Sequence, residues 1–475
     1  MERERLVEIF GGERVITDPE ILREHRDDLS EYPGELPAAV VYPTAVEEIQ
    51  ALLRLAKELG CSITPRVANT NIGGLALAAA GGIIADLTRM DRVIEVDADN
   101  MVAVIEPGVT QGQLKQYLVD HELPLTLGFS LAPPYVSVMA NCLLDGLTNR
   151  SLKYGAMSEW ISGLEMVRPD GSLLKTGAWA VDGIPPYGRP PMPDLTGVFT
   201  SFQGTTGICT KLAFQLWPKH PLEKRLFILG YSSAGVFDAV QRLCRMEICE
   251  DIGGLSWPPA KMLMGVERPR PTPDPDEPTY FLYVDLAAEL PDEMAYKEKL
   301  LGQVIDELRA RGERFEAPLD IYTLVKVNPP MVAFAEFPTD LEFLSKPRGG
   351  GLTWMGTYGP LPRFAETAER CSALMIARGF PPAIVSRPMR GGHFGVLRFL
   401  IVFDRSDADE VARVKQCMQA LLEEVTASGF LMYKTPAWAL KWLKAKIDPG
   451  MKRLAREVKQ LMDPDGLLNP GKLDL

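Results

Sequence analysis

The sequence predicts an α+β protein whose N-terminal part contains two small sheets. The chain has 475 residues, which is too long for one hydrophobic core, so two or three domains are expected. Between residues 40 and 121 the pattern reads strand–helix–strand, then a loop, then two strands and a helix. This order fits two small sheets rather than one continuous sheet. Residues 1–36 precede it as a charged helical lead-in.

The first predicted unit is a strand–helix–strand segment over residues 40–65. Thr44 is the predicted helix cap, and Glu47 stands at the reciprocal position of a capping box. Gly60 is the predicted end of the helix. Between them apolar residues recur at helical spacing, namely Ile49, Leu52, Leu53 and Ala56.

A loop rich in Asn and Gly follows at residues 66–74. The next strand candidates are 82–87 and 101–108, and Thr110 is predicted to cap a helix over residues 111–121. A loop of this kind after a strand offers backbone N–H groups, amide side chains and close backbone approach, so it can hold an anion without a lysine. It is therefore a candidate anion-binding site.

The bulk composition excludes several classes of protein. The hydrophobic fraction of 46% and the charged fraction of 24% are those of a water-soluble globular protein. The formal net charge of −12 argues against a nucleic-acid-binding surface as the main role. No run of about 18 apolar residues is present, so no membrane span is expected.

Cysteine and histidine usage gives no sign of a disulfide framework or a metal site. The 7 cysteines are scattered without a C-x-x-C pair, and the 4 histidines are widely spaced. The N-terminus has acidic residues and lacks the apolar core of a secretory signal. We expect a reduced cytoplasmic protein without a metal.

The closing segment, residues 462–472, reads M-D-P-D-G-L-L-N-P-G-K. Its prolines and glycines forbid a helix and interrupt a strand ladder. Such a segment keeps one shape only if something fixes it, and a bound ligand is the expected partner.

These motifs together resemble a known flavoprotein family. The phrases "VVYPTAVEEIQALLRLAKE", "ADLTRMDRVIEVDADNMVAVIEPGVTQGQL", "LKYGAMSEWISGLEMVRPDGSLLKTG", "GVFTSFQGTTGICTKLAFQLWPK" and the closing "DPDGLLNPGK" occur in the order typical of the vanillyl-alcohol oxidase / p-cresol methylhydroxylase superfamily. The resemblance covers residues 36–220 and 345–475. It implies FAD as the cofactor.

The resemblance also implies a domain organisation. After the lead-in 1–36, residues 37–220 would form a two-subdomain, PCMH-type FAD-binding domain. Residues 221–424 would form an α+β substrate (cap) domain with an antiparallel sheet, and residues 425–475 would return to the FAD domain. A proline-rich stretch at 268–278 is the expected mobile loop of the substrate domain.

The FAD-binding residues implied by the resemblance come from six parts of the chain. The family usually has glycines where Val67 and Ala68 stand, so here the diphosphate would rely on the Asn and Thr side chains of the loop. The implied residues are Arg66, Ala68, Asn69, Thr70, Asn71, Ile72, Gly73, Pro107, Ser137, Val138, Asn141, Tyr154, Gly155, Gly204, Thr206, Gly207, Ile208, Asn469 and Lys472.

The phenol-oxidising branch of the family implies a catalytic set that is altered here. One tyrosine and a cationic residue survive as Tyr433 and Lys434, whereas the second tyrosine falls at Ile72 and the acid is displaced to Asp145. Lysine lacks the bidentate fork of arginine, and isoleucine cannot hydrogen-bond an oxyanion. Further candidates for the pocket are Arg387, Arg390 and His393 in "SRPMRGGHFG", together with Trp354 and Tyr358.

The expected function is an FAD-dependent oxidoreductase, a dehydrogenase rather than an oxidase. It would move hydride from an alcohol, hydroxy acid or alkyl-aromatic substrate to flavin N5 and pass electrons to a protein acceptor or oxygen. The altered set argues against a para-alkylphenol and leaves open a site of low activity. One alternative is a glycolate/D-lactate dehydrogenase-like enzyme, whose His-rich metal segment is absent here. Another is a non-catalytic flavin-binding subunit of a larger redox complex.

Two further expectations concern attachment and assembly. The region where relatives attach the flavin covalently reads Arg378-Gly-Phe-Pro-Pro-Ala383, without histidine or tyrosine, so FAD is expected to be non-covalent. By analogy with the family we expect a homodimer or a heteromeric complex, with an electron-acceptor protein or second redox subunit as the partner.

Overall fold

The computed structural model describes residues 3–266 and 268–473. The first sheet has four strands, in the spatial order Val15–Ile16, Ala39–Val41, Ile83–Asp86 and Ile63–Arg66. The last three are parallel, and the first pairs antiparallel with Ala39–Val41. The helices Arg3–Phe10 and Val46–Leu59 cover its core face.

The second sheet has five antiparallel strands. Their spatial order is Val93–Asp97, Val102–Ile105, Ile208–Gln215, Ile161–Val167 and Leu173–Lys175. Two small sheets in the N-terminal half agree with the prediction from element order. The helices of this half after Val46–Leu59 are Gln111–Asp120, Val138–Leu143 and Ser151–Tyr154, and a short ribbon pairs Leu125–Thr126 with Trp217–Pro218.

The third sheet, called the large sheet below, has eight antiparallel strands. Their spatial order is Leu319–Asp320, Leu222–Gly230, Tyr280–Ala288, Asp251–Ser256, Ala383–Met389, Phe394–Asp404, Gly350–Gly359 and Leu431–Met432. Four helices cover one face with a large apolar core, namely Ser233–Met246, Pro291–Ala310, Phe364–Ile376 and Ala408–Ala427. The other face turns toward the second sheet and its helices.

The remaining helices are short or C-terminal. They are Pro19–Glu24, Trp257–Leu263, Ile321–Val327, Glu342–Ser345, Ala437–Leu443 and Pro449–Met462. Residues 268–278 contain no helix or strand and connect Trp257–Leu263 to Tyr280–Ala288.

Helix capping shows how far local sequence fixes these boundaries. Gly60 adopts φ 62° and closes the helix Val46–Leu59, as predicted. The helix begins one residue later than expected, with Ala45 as its cap, and Glu48 rather than Glu47 accepts from the Thr44 backbone at 2.8 Å. Because the helix starts later, the acidic residue that accepts from the backbone before the helix is also one position later in the sequence. Thr110 caps Gln111–Asp120 as predicted, accepting from the Gln113 N–H at 3.1 Å.

The closing segment is fixed by the protein itself rather than by a ligand alone. Leu468 extends the first sheet beside Ile63 in a parallel bridge, with hydrogen bonds of 2.8 Å on both sides. The buried Asp463 carboxylate accepts from the Leu467 and Leu468 N–H groups at 3.0 and 2.9 Å. The expectation that a bound ligand supplies the missing partners is therefore corrected, because an unpaired sheet edge and a buried carboxylate supply them.

Candidate functional site

A cavity of about 400 Å³ lies between the first two sheets and the open face of the large sheet. This size is within the range of ligand sites in proteins. The loop 66–72, the segment 130–147, residues 203–209 and the strands of the large sheet all contribute to its wall. Four cations line it, Arg66, Arg387, Arg398 and Lys434, whereas no Asp or Glu among the described residues does. The cavity therefore favours anionic groups.

The loop at residues 66–73 carries polar groups that the protein does not satisfy. None of the backbone N–H groups from Ala68 to Gly73 donates to another group within residues 3–266 and 268–473. The buried side-chain oxygens of Asn69 and Gln203 likewise accept no hydrogen bond. Because buried polar groups are normally paired, these atoms are available to a ligand in the cavity.

Most of the predicted cofactor residues line this cavity. They are Arg66, Ala68, Asn69, Thr70, Asn71, Ile72, Pro107, Ser137, Asn141, Gly204, Gly207, Ile208 and Asn469. The Ser137 hydroxyl is engaged in the protein, since it donates to the Pro107 carbonyl at 2.6 Å and accepts from the Ala140 N–H at 3.1 Å. The wall there is thus held rigidly.

The other predicted cofactor residues lie outside the wall. Gly73 backs onto Pro436, and Val138 is wholly buried in the core. Thr206 donates to the Val198 carbonyl at 2.8 Å. Tyr154 stacks on Trp217 at 3.5 Å between ring centroids, and Gly155 follows it with φ 80°. These residues shape the elements around the cavity and do not face it.

Arg66 reaches the cavity edge with its charge already neutralised. Its Nη2 lies 3.0 Å from the Asp86 carboxylate, and both side chains are buried. The same guanidinium contacts the His25 ring, and burial together with this cation lowers the pKa of His25. Arg66 therefore acts through its position in the wall rather than as a free counter-ion.

Asn469 ties the closing segment to the cavity wall. Its amide nitrogen donates to the Gln203 carbonyl at 2.6 Å and to the Leu75 carbonyl at 3.2 Å. Its side-chain oxygen accepts from Thr64 at 3.2 Å. Lys472, outside the cavity wall, donates to the carbonyls of Gly74 and Leu77. Both predicted residues thus brace the Asn-Gly loop through protein bonds.

Lys434 is the one member of the predicted catalytic set that lines the cavity. Its ammonium group faces the side-chain oxygens of Asn71 and Asn141 at 3.2 and 3.4 Å. Burial, with the positive charge of Arg398 as a second cause, lowers the pKa of Lys434 to about 7. Lys434 can therefore hold or release a proton near neutral pH.

Arg398 lies next to this lysine and was not among the predicted residues. Its guanidinium donates to the Tyr433 hydroxyl and lies 5.3 Å from the Trp354 ring centroid. Its buried Nε–H has no partner among the described residues. Gly356 stands opposite Arg398 in the sheet, and a Cβ there would lie 2.7 Å from the Tyr433 ring. Because Gly356 has no side chain, the Tyr433 ring can cross this strand and reach Arg398.

Arg387 is also held at the cavity wall by a tyrosine hydroxyl that reaches it across a glycine. Its guanidinium donates to the Tyr283 hydroxyl. The Tyr283 ring lies over Gly253, where a Cβ would approach it to 2.1 Å. Asp251 is the nearest carboxylate, 3.4 Å from Arg387 Nη2.

Tyr433, Tyr358 and Asp145 form a second layer behind the wall. The two tyrosine rings stack at 4.5 Å between centroids with an interplanar angle of 7°. The Tyr358 hydroxyl donates to the Asp145 carbonyl, and Ser201 donates to the Asp145 carboxylate. Burial raises the pKa of Asp145 and of Tyr358. The structure brings these residues together beside Lys434, but their side chains do not line the cavity.

Arg390 and His393 are not brought to the cavity. They lie on an exposed turn, where Arg390 forms an ion pair with Glu159. Their place at the end of the strand Ala383–Met389 points them toward solvent, whereas Arg387 and Arg398 lie on the cavity side of the strands. Of the three pocket candidates predicted in "SRPMRGGHFG", Arg387 lines the cavity, whereas Arg390 and His393 do not.

One sequence signal for Arg398 was available. It is the single charged residue between Phe394 and Phe403 in an otherwise apolar strand, and an arginine in such a position is costly unless it has a partner or a function.

The described residues show neither a metal-binding cluster nor a membrane-spanning helix. Residues 3–266 and 268–473 contain no group of three or more His, Cys, Asp or Glu arranged to hold a metal ion. In the same part of the chain no helix is long and apolar enough to cross a membrane.

Comparison with known proteins agrees with this geometry. Residues 37–177 match the FAD binding domain family, and residues 348–473 match the C-terminal domain of FAD linked oxidases. The 4-cresol dehydrogenase (hydroxylating) flavoprotein subunit of Pseudomonas putida is 23% identical over 98% of this chain and 93% of that protein. The glycolate oxidase subunit GlcD of Bacillus subtilis is 24% identical over 99% of this chain and 96% of that protein.

A solved structure gives the same fold. The crystal structure of p-cresol methylhydroxylase with substrate bound superposes with a TM-score of 0.88 at 22% identity, over 99% of this chain and 96% of that one. This likeness confirms the predicted α+β, PCMH-type fold. With its two matched domains, the chain belongs to the FAD-linked oxidoreductases.

Proposed function

We propose that this chain is an FAD-dependent dehydrogenase that oxidises a 2-hydroxy acid to the corresponding keto acid. The observation that carries the proposal is the pair of arginines on the cavity side of the large sheet. Arg387 pairs with Val396 and Arg398 pairs with Val385, so the arginines are diagonal neighbours on adjacent strands. Such neighbours lie about 7–8 Å apart, within reach of one small ligand for long side chains.

The chemistry of these cations favours a carboxylate. A guanidinium group presents parallel N–H donors that match two carboxylate oxygens, and the Nε–H of Arg398 is unused. No Asp or Glu among the described residues lines the wall, and the carboxylate nearest to Arg387 is Asp251, 3.4 Å away. A neutral alcohol or an uncharged alkyl-aromatic would leave these donors unpaired, which is costly in a buried site.

FAD fits the rest of the cavity. The unpaired N–H groups of residues 68–73 and the free oxygens of Asn69 and Gln203 match the many polar groups of a dinucleotide. We assign residues 66–72 and 204–208 to the diphosphate and residues 137–141 to the flavin side, within a cofactor domain over 37–220. The substrate domain would be 221–424, with 425–475 returning to the cofactor domain.

The residues of this chain then have separate roles in the proposed oxidation. Bound FAD supplies the hydride acceptor. Arg387 and Arg398 fix the substrate carboxylate, and the neutral amine of Lys434 accepts the hydroxyl proton as the neighbouring C–H bond breaks. Leu352, Trp354 and Leu400 give the substrate end of the cavity an apolar wall that excludes water.

Several finer features belong to the same proposal. FAD would be held without a covalent bond, since the described wall contains no histidine and its one tyrosine is Tyr135. The name of the 4-cresol dehydrogenase flavoprotein subunit from Pseudomonas putida supports a dehydrogenase with a separate protein as the electron acceptor. We also retain a homodimer or a heteromeric complex.

Anaerobic stopped-flow reduction of the FAD-loaded protein tests the proposal. The panel contains both enantiomers of lactate and mandelate, primary alcohols and para-alkylphenols. We expect the hydroxy acids to bleach the flavin absorbance fastest. Faster bleaching by alkylphenols would favour the phenol-oxidising alternative, and no bleaching at full FAD occupancy would favour a non-catalytic subunit.

A further inference from the structure

A buried charge cluster connects the cavity to the interior of the large sheet. Arg225, Asp285 and Asp251 face one another on three adjacent strands, because Arg225 pairs with Asp285 and Asp285 pairs with Asp251. Arg225 and Asp285 satisfy each other through two hydrogen bonds of 2.6 and 2.5 Å. This pair leaves Asp251 and Arg387 as the second, looser half of the cluster.

Asp251 is the weakly held member. Its side chain is 0% exposed, and neither carboxylate oxygen completes a hydrogen bond among the described residues. Its nearest cation is Arg387, at 3.4 Å. Tyr283 lies between them, and its hydroxyl accepts from Arg387 and interacts with Asp251. An ionised carboxylate in this position is poorly solvated.

The charges of the cluster balance while the cavity is empty of anions. Two arginines, Arg225 and Arg387, face two carboxylates, Asp251 and Asp285. A substrate carboxylate held by Arg387 and Arg398 would compete with Asp251 for the guanidinium of Arg387, which is the nearest cation to Asp251. The least costly relief is to neutralise Asp251, because its carboxylate forms no complete hydrogen bond and would share its nearest cation with the substrate.

The surroundings of Asp251 agree with this. Burial raises its pKa to about 6, with Asp285 acting in the same direction and Arg387, Arg225 and the Tyr283 hydroxyl opposing it. The thiols of Cys244 and Cys249 also lie near, and burial keeps them protonated by raising their pKa.

We propose that binding of a carboxylate at Arg387 is coupled to protonation of Asp251, so that each substrate anion enters the cavity together with one proton. Asp251 is thus a positioning residue that tunes the charge of Arg387 and does not touch the substrate. The inference rests on the proposed function only in taking the ligand to be a carboxylic acid.

Titration calorimetry of the FAD-loaded protein with benzoate tests this coupling without turnover. Benzoate carries the carboxylate but no hydroxyl carbon to oxidise. Measured at pH 7 in two buffers of different ionisation enthalpy, binding should take up close to one proton. The Kd should rise about tenfold per pH unit between pH 7 and 8. Binding without proton uptake, or no binding at pH 6, overturns the proposal.

Two variants identify the group that takes up the proton. Asp251→Asn should lose most of the proton uptake and most of the pH dependence of the Kd for benzoate. Lys434→Met controls for the other titratable group in the wall, and it should retain the uptake. Uptake lost in Lys434→Met but kept in Asp251→Asn would overturn the assignment. If Asp251→Asn does not fold, the wild-type and Lys434→Met titrations still decide.

The result of the benzoate titrations can be distinguished from the result of the flavin-reduction test of the proposed function. Flavin reduction by lactate without proton-coupled benzoate binding would remove only the role of Asp251. Proton-coupled benzoate binding without flavin reduction by any hydroxy acid would keep that role and remove the proposed reaction.

Discussion

The Tyr433 hydroxyl accepts a hydrogen bond from Arg398 because the strand between them has a glycine at position 356. The ring occupies the space that a side chain would fill, and its hydroxyl holds the guanidinium at the cavity wall. Gly253 gives Tyr283 the same access to Arg387. Two glycines in one sheet thus set the position of both arginines that we assign to the substrate.

Substitution of Gly356 by alanine should displace the tyrosine. The added methyl would lie 2.7 Å from the ring, so we expect a loss of about 1–3 kcal/mol in the free energy of unfolding and weaker hydroxy-acid binding. Gly302→Ala is the matched control, because nothing lies within 4 Å of its Cβ and it sits inside a helix. That change should stabilise the protein by about 0.5–1 kcal/mol. Thermal unfolding of both variants measures the difference, and equal effects would contradict it.

Removal of the Arg398 guanidinium should weaken substrate binding without unfolding the protein. Arg398→Met should raise KM for a hydroxy acid by roughly 30-fold, which corresponds to about 2 kcal/mol for a charge-assisted hydrogen bond. Arg390→Met is the control, since that side chain is exposed and paired with Glu159. Steady-state kinetics of the two variants should differ clearly. A similar loss in both would show that the effect is not specific to Arg398 and would contradict the assignment.

The rate of flavin reduction should depend on the protonation of Lys434. Its lowered pKa of about 7 means that the neutral amine, the proton acceptor, is formed as pH rises through that value. The rate constant at saturating substrate should therefore increase with pH up to about 8 and then level off. Lys434→Met should lower the plateau by roughly 100-fold and lose this inflection. His393→Gln should keep the inflection, and its loss there would reassign the titrating group.

Asn469 should contribute to both stability and cofactor retention. Its side chain donates to two buried carbonyls, so Asn469→Ala leaves these acceptors unpaired and should cost about 2–3 kcal/mol. The stabilisation by added FAD should also shrink, because the Asn-Gly loop is no longer braced. Asp465→Asn, which removes only an exposed ion pair with Lys57, should change stability by less than about 1 kcal/mol. Unfolding with and without FAD gives both quantities.

FAD should be released when the protein is denatured. Acid precipitation is expected to leave the yellow colour in the supernatant, because the described wall offers no histidine and only Tyr135 as a tyrosine. Colour retained in the pellet would contradict this. In that case Tyr135→Phe would show whether that side chain is the attachment point.

Much of the fold could be predicted from interactions between residues that are close in sequence. Gly60 and Thr110 ended and began helices as predicted, since capping depends on neighbours a few residues away. The order of elements indicated two small sheets for the same reason. The closing segment was harder, because its partners Ile63 and Gln203 are distant in sequence.

The site was predicted more fully for the cofactor than for the substrate. The cavity includes the continuous loop 66–72, which a motif can identify. Arg398 came from an apolar strand, and only the register of that strand shows that it shares a face with Arg387 and lies opposite Gly356. Arg390 and His393 matched the expected chemistry, but their turn faces solvent.

The central claim is that Arg398 binds the carboxylate of a hydroxy acid while bound FAD accepts its hydride. The most direct measurement compares anaerobic flavin reduction by lactate with that by lactate methyl ester, in the wild type and in Arg398→Met. We predict that the wild type strongly prefers the acid and that the variant loses most of this preference. Equal rates with acid and ester in the wild type would contradict the claim.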